Sequence, residues 1–263
     1  MRIGFIGTGN MGGAIIRALA GRDDLVMYGL NRTRSALEAL ARETGLVPCA
    51  DVEELARRSE CVILAVKPQQ APAVWPLLEP VLSRSHFLVS LAAGLTREAL
   101  HRGVGGACPV VRAMPNSPVL VRRGVTALCL DDPGLTGPQK AFARDMFASL
   151  GSVHVLNEEL FDAFTAVIGS GPALVFYFME AMIEGGVELG LDRGDAAAMV
   201  KGLFSGASLM AEGSPKHVSM LKEMSTAPAG TTTAALAHFD RTAVRGHIMD
   251  ALRRAFVRSV ELG

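Results

Sequence analysis

Short apolar runs alternate with stretches of helical periodicity through the first half of the chain, a pattern that predicts a parallel sheet covered by helices. The expected strands are Arg2 to Ile6, Leu25 to Leu30, Leu46 to Cys49, Cys61 to Val66, Phe87 to Leu91 and Val110 to Met114. Val125 to Leu130 and Val153 to Leu156 read as two further strands at one edge. Between them, Met11 to Ala20, Ser35 to Glu43, Val52 to Arg58, Pro72 to Leu82, Arg97 to His101 and Pro138 to Leu150 have the spacing of helices. Beyond about Asn157 the strand signals stop. Pro172 and Pro215 suit first helical positions, Asp192 and Ser214 suit N-caps, and Gly190 and Gly213 suit reversals after helices. The expected fold is α/β, with an N-terminal Rossmann-like doubly wound sheet over residues 1–157 and an all-α C-terminal domain over 158–263.

The longest uncharged apolar stretch, Ala163 to Met179, falls short of a bilayer span of about 20 residues and is interrupted by Gly169, Ser170, Gly171 and Pro172. It reads as two buried segments meeting at a turn, not as a membrane helix. Composition narrows the partners further: 26 basic residues balance 26 acidic ones, so the excess of positive charge that nucleic acid or an anionic membrane demands is absent. With 49% hydrophobic residues the chain has ample material for a core. Cys49, Cys61, Cys108 and Cys129 are far apart and the six histidines have no ligand spacing, which predicts reduced thiols in a cytoplasmic protein and no metal site. Small residues along Lys201 to Ala207 let helices approach closely, and so small a helical half is expected to pack against another subunit.

The first strand runs into GxGxxG, formed by Gly7, Gly9 and Gly12 with Thr8, Asn10 and Met11 between them. In a strand–turn–helix setting this motif suits a dinucleotide: Gly7 for the tight turn, Gly9 for approach of the pyrophosphate, Gly12 for close helix packing, and free amides at the helix start facing the anion. The second strand ends in Asn31-Arg32-Thr33-Arg34 where an NAD site usually carries Asp or Glu. Arg32 or Arg34 can neutralise a 2′-phosphate while Asn31 and Thr33 hydrogen-bond it, so NADPH is preferred and NADH is a second choice. Ala65-Val66-Lys67-Pro68 and Ala92-Ala93 leave two further strands and are expected to line the same cleft.

Taken together, Gly7 to Gly13, Ala65 to Gln69, Val111 to Pro118 with its MPNSP, Gly169 to Ala173 and Pro228 to Thr232 resemble the pyrroline-5-carboxylate reductases of proline biosynthesis, in order and separation over essentially the whole chain. The resemblance implies reduction of the cyclic imine L-1-pyrroline-5-carboxylate to L-proline with NAD(P)H by a homodimer or larger homo-oligomer. It implies that Ala229, Gly230, Thr231 and Thr232 bind the substrate carboxylate, that Thr232 places a hydroxyl near the ring nitrogen as the catalytic group, that Glu158 contributes an acidic group near the substrate, and that Asn116 lies near the cofactor. Ser170 reads as a helix cap at the domain junction. This chain departs from the family's usual Ser-Pro-Gly-Gly in reading Ala227-Pro228-Ala229-Gly230. Ala229 puts a methyl where glycine permits positive φ. That change leaves two alternatives beside the usual substrate: a related cyclic imine acid, or a cofactor-binding sensor without catalysis.

Overall fold

The computed structural model describes residues 1–262. By contact it divides into two compact units, one of residues 1–170 together with the chain from Ala255 onward, the other Gly171–Arg254. The sheet ends with Val155, and the stretch from there to Ser170 belongs by contact with the sheet unit.

Eight strands form one sheet: β1 (Arg2–Ile6), β2 (Val26–Leu30), β3 (Val47–Pro48), β4 (Cys61–Leu64), β5 (Phe87–Ser90), β6 (Val110–Met114), β7 (Gly124–Cys129) and β8 (Gly151–Val155). Their order is β3-β2-β1-β4-β5-β6-β7-β8. All pairings are parallel except β6 with β7. Helices α1 (Asn10–Leu19), α2 (Arg34–Thr44), α3 (Val52–Arg58), α4 (Trp75–Leu78), α5 (Arg97–Gly103) and α6 (Gly137–Ala148) cover it. Because helices lie on both faces, the central strands are buried throughout, Cys61 to Leu64 and Phe87 to Ser90, with Ser90 their one polar residue. One core cluster holds Ile3, Phe5, Ile15, Ile63, Val89 and Phe147; a second holds Ile6, Leu55, Val62, Leu64, Leu88 and Leu100. The alternation of β1 and β4 residues between the two clusters shows each strand feeding both faces.

One expected helix did not form as such. Pro72 to Leu82 becomes a 3₁₀ stretch, Pro68–Ala73, followed by the single turn α4. Prolines at 68, 72 and 76 remove amide donors every fourth residue, which forbids a continuous α ladder but tolerates short turns.

The sheet unit ends in a compound segment: a 3₁₀ turn at Glu158–Leu160, α7 (Phe161–Phe164) and a π-helical turn at Thr165–Gly169. Ser170 closes that turn. Its amide and its hydroxyl both donate to the Thr165 carbonyl, at 2.9 and 3.2 Å, so its side chain points back along the chain and not forward as the expected cap of the next helix.

The second unit is built of α8 (Gly171–Glu188), α9 (Arg193–Glu212), α10 (Val218–Met224), α11 (Thr231–Arg241) and the first part of α12 (Val244–Glu261). Asp192 caps α9 through the amides of Gly194 and Asp195, and Gly190 supplies the reversal at φ +101°. Ser214 and Pro215 do not start a helix. Ser214 Oγ accepts from Lys216 N in a loop, and His217 caps α10 instead. The run Glu158–Glu188 is long and apolar enough by composition to cross a membrane, and only 6% of its most apolar window is buried, so the expectation of two buried segments is not met within this chain. Phe176 and Tyr177 are 63% and 69% exposed.

Candidate active site

The strand order reverses direction between β1 and β4, and ligands of such sheets bind outside the carboxyl ends of the strands at that point. The glycine-rich turn sits there. Gly7 holds φ +96°, and a Cβ on it would come within 2.6 Å of the Ala65 carbonyl oxygen at the end of β4. A Cβ on Gly12 would overlap the Gly7 carbonyl oxygen, so the first turn of α1 can lie against the loop only without a side chain. Around Gly9 the opposite holds: a Cβ there would meet nothing within 4 Å. The backbone is therefore packed tightly at Gly7 and Gly12 and open at Gly9, the face an incoming pyrophosphate needs.

Gly9 is the N-cap of α1 and has no side chain with which to satisfy the helix's first amides, and no acidic residue occupies the first turn. Those amides, from Asn10 to Gly12, are left for an anion. Thr8 adds a sharper indication. Its Oγ1 is buried and has no hydrogen-bond partner. An unpaired buried hydroxyl costs about 1–3 kcal/mol, a cost removed when a ligand supplies the partner. The free amides, the open face at Gly9 and the orphaned hydroxyl together fit a dinucleotide pyrophosphate.

Thr8→Val preserves volume and deletes the hydroxyl. Expected is a free chain melting at the same temperature or higher, with dinucleotide affinity weakened about tenfold. Thermal melting with and without NADPH reads both, and an unchanged shift on adding NADPH would show that the hydroxyl has no ligand role.

The remaining expected cofactor residues lie at neighbouring strand ends. Ala65 and Val66 are half-buried after β4 and Lys67 is exposed. Ala92 is buried after β5, its amide held by Ser90 Oγ at 3.3 Å, with Ala93 half-buried beside it. After β2, Asn31 is half-buried while Arg32, Thr33 and Arg34 are exposed at the start of α2. Thr33 is the N-cap of α2 but its side chain makes no capping bond.

Asn116 and Glu158, also in this unit, are held by protein groups. Asn116 is 6% exposed; its Oδ1 accepts from Val125 N at 2.8 Å and its Nδ2 donates to the Ile168 carbonyl at 3.2 Å. It ties the MPNSP loop to β7 and to the π-helical turn. Glu158 Oε1 accepts from Arg112 Nη1 at 2.8 Å and from the Arg97 amide at 2.5 Å. Arg112, its side chain 8% exposed, also lies over the Phe161 ring at 4.6 Å. This buried arginine was not singled out from the sequence, although a charge inside the apolar strand Val110–Met114 is itself a sign of a buried partner.

In the second unit, Ala227 to Gly230 form a tight turn closed by Gly230 N donating to the Ala227 carbonyl at 3.0 Å. Pro228 presets φ at the first central position, and Ala229 takes the second at φ +57°, where glycine is usual. The left-handed backbone is thus adopted despite the added methyl. Thr233 Oγ1, not foreseen from sequence, donates to the Ala227 carbonyl at 2.7 Å and braces the turn. Thr231 and Thr232 are exposed at the start of α11, with Gly230 as an N-cap that has no side chain. The first-turn amides are therefore without a side-chain cap, a setting that favours an anion. Relief of the left-handed alanine predicts that Ala229→Gly raises stability by about 0.5–1 kcal/mol, seen as a higher melting temperature. A lower one would mean that unfolded-state entropy outweighs the strain.

The four cysteines are free and buried. Burial pushes the Cys61 thiol well above its ordinary range and the Cys108 thiol up to about 12, so neither is a thiolate nucleophile at neutral pH.

Comparison with known proteins agrees with this layout. Residues 158–262 match the family model for pyrroline-5-carboxylate reductase dimerisation, and residues 2–94 match that for the coenzyme F420-dependent NADP oxidoreductases. A pyrroline-5-carboxylate reductase of Pseudomonas aeruginosa is 35% identical, the alignment covering 99% of this chain and 96% of that one. The chain belongs to the pyrroline-5-carboxylate reductase family. Among solved structures, a family member from Coxiella burnetii superposes with a TM-score of 0.90 at 32% identity, covering 99% of this chain and 98% of that one. The pyrroline carboxylate reductase of Plasmodium falciparum, solved with NADP bound, superposes at 0.88 with 30% identity, covering 100% and 98%. The two models fall here on residues 2–94 of the sheet unit and on the segment from Glu158 that carries the Ala227–Gly230 turn.

Proposed function

We propose that this chain reduces L-1-pyrroline-5-carboxylate to L-proline with NADPH, the last step of proline biosynthesis. The observation that carries the reading is the whole-length family match on a glycine cradle whose buried Thr8 hydroxyl lacks a partner. When bound, the nicotinamide supplies the hydride that the imine carbon accepts. Gly7 to Gly12 hold the pyrophosphate on backbone amides. Asn31, Arg32, Thr33 and Arg34 lie where the adenosine ribose and its phosphate are read, and Ala65 to Pro68 with Ala92 and Ala93 line the groove between. Asn116 sets the position of the loop that follows β6 through its two backbone partners.

For the substrate, the amides at the start of α11 and the residues Ala229, Gly230, Thr231 and Thr232 receive the carboxylate. Thr232 is the catalytic residue in this reading: its hydroxyl hydrogen-bonds the ring nitrogen as it becomes an amine. Glu158 holds Arg112 and so anchors the wall of the sheet unit; we assign it a positioning role and not a direct contact with the imine. The exposed apolar face of α8, with Phe176 and Tyr177, is covered by a second copy of the chain, in keeping with the dimerisation model that spans it. Four reduced, buried thiols suit a cytoplasmic setting.

Absorbance of NADPH followed with pyrroline-5-carboxylate tests the activity, and no consumption at any pH would overturn it. Thr232→Ala is expected to lower kcat by about a hundredfold with NADPH affinity kept; wild-type kcat in that variant would remove Thr232 from its role. The Ala227 and Ala229 replacements favour one second reading, a related cyclic imine acid as the better substrate. A panel of five- and six-membered imine acids decides between them by kcat/KM.

A further inference from the structure

Arg32 and Arg34 leave the carboxyl end of β2 two residues apart, yet their surroundings differ. Arg34 is engaged within the protein: its Nε donates to Glu38 Oε1 at 2.9 Å, one turn along α2, and its Nη1 donates to the Cys49 carbonyl at 3.4 Å beyond β3. Arg32 is exposed and makes no hydrogen bond or ion pair among the described residues. Resting on the cofactor reading above, we infer that Glu38 sets the preference of this chain between NADPH and NADH by occupying Arg34, which leaves Arg32 to meet the 2′-phosphate.

The geometry of the guanidinium carries the argument. An arginine grips a phosphate best with two parallel N–H groups, and the fork that includes Nε is one of its two such edges. Glu38 occupies that edge. The other edge is engaged through Nη1 at the Cys49 carbonyl, over the end of the strand next to β2. By neutralising one guanidinium, Glu38 acts against NADPH. Arg58, on the helix after β3, is paired with Glu54 Oε1 at 3.4 Å, so it does not supply the missing positive charge. An exposed pair one helical turn apart is weak, and a phosphate can displace the carboxylate at small cost. Glu38 is therefore a graded determinant of selectivity and not a switch. The arrangement suits an enzyme that takes NADPH first and still accepts NADH.

The test is direct binding, read from nicotinamide fluorescence as Kd for NADPH and for NADH in the full chain. Glu38→Gln keeps the shape of the side chain and is expected to tighten NADPH about fivefold with a smaller change for NADH. Arg32→Ala is expected to lose most of the preference for NADPH in either background. The double variant Glu38→Gln with Arg34→Ala is expected to give back the gain, because the gain is Arg34's. The inference is overturned if Glu38→Gln leaves the NADPH to NADH ratio unchanged. It is equally overturned if Arg34→Ala alone lowers that ratio as far as Arg32→Ala, or if the double variant keeps the gain. If the unaltered chain binds neither nucleotide, the cofactor reading itself fails, and that result is distinct from a ratio that does not move.

Discussion

Alanine in place of Gly12 is expected to cost this chain about a hundredfold in NADPH affinity while leaving the sheet folded. The added methyl would overlap the Gly7 carbonyl oxygen, and Ala65 Cβ lies 3.1 Å away on the other side. Neither neighbour is the far end of a flexible side chain. Relief must therefore come from the backbone, by moving the start of α1 away from the turn. The amides of Asn10 to Gly12 move with it, and each charge-assisted bond they lose to a pyrophosphate is worth about 1.5–3 kcal/mol. Loss of one or two such bonds accounts for the hundredfold. Overpacking adds about 1–3 kcal/mol of destabilisation, felt locally because α1 also buries Ile15, Ile16 and Leu19 against the sheet. Fluorescence titration with NADPH alongside thermal melting separates the two effects. Affinity retained within a factor of two would show that the turn does not hold the cofactor through its backbone.

Gly9 provides the internal contrast. Its missing Cβ has open space around it, so Gly9→Ala leaves the free chain undisturbed and acts only on what enters the groove. A comparison of the two alanines thus distinguishes a glycine required by the protein's own packing from one required by a ligand. Sequence spacing alone names both residues but assigns them their reasons only by analogy with the motif.

The sheet was legible because its central strands are buried on both faces and therefore read as continuous apolar runs, such as Cys61 to Leu64. The ends of elements were less so. The stretch after Lys67 looks amphipathic, but its prolines decide against a helix, and at the start of α10 a histidine takes the cap that Ser214 was expected to supply. The turn at Ala227 to Gly230 could be anticipated in outline. What sequence could not supply was whether Ala229 adopts the left-handed backbone or reshapes the loop, since the turn is braced by the bond from Thr233 to the Ala227 carbonyl six residues back. The pairing of Arg112 with Glu158 was hidden for a related reason. A buried charge announces that it needs a partner, but the partner lies 46 residues on, in a segment whose 3₁₀ and π turns have no simple periodicity.

Removing that pair is the second large effect. Arg112→Met fills much the same volume without charge and is expected to destabilise the sheet unit by about 2–4 kcal/mol, because Glu158 then keeps a half-buried carboxylate held by the Arg97 amide alone. The contact with the Phe161 ring changes character as well, from a cation over an aromatic face to a thioether beside it. Glu158→Gln is milder, about 1–2 kcal/mol, since the amide oxygen still accepts one of the two bonds. If Glu158 acts only through Arg112, the two changes made together cost less than their sum, the mark of a coupled pair. KM for pyrroline-5-carboxylate in Glu158→Gln then stays within a few-fold of wild type once the enzyme is assayed well below its melting temperature. A direct contact between Glu158 and the imine predicts in addition a rise in KM of about tenfold or more, on top of the same fall in melting temperature, since the pair with Arg112 is weakened in either case. KM therefore assigns the residue, while the melting temperature reports that the pair with Arg112 has been weakened.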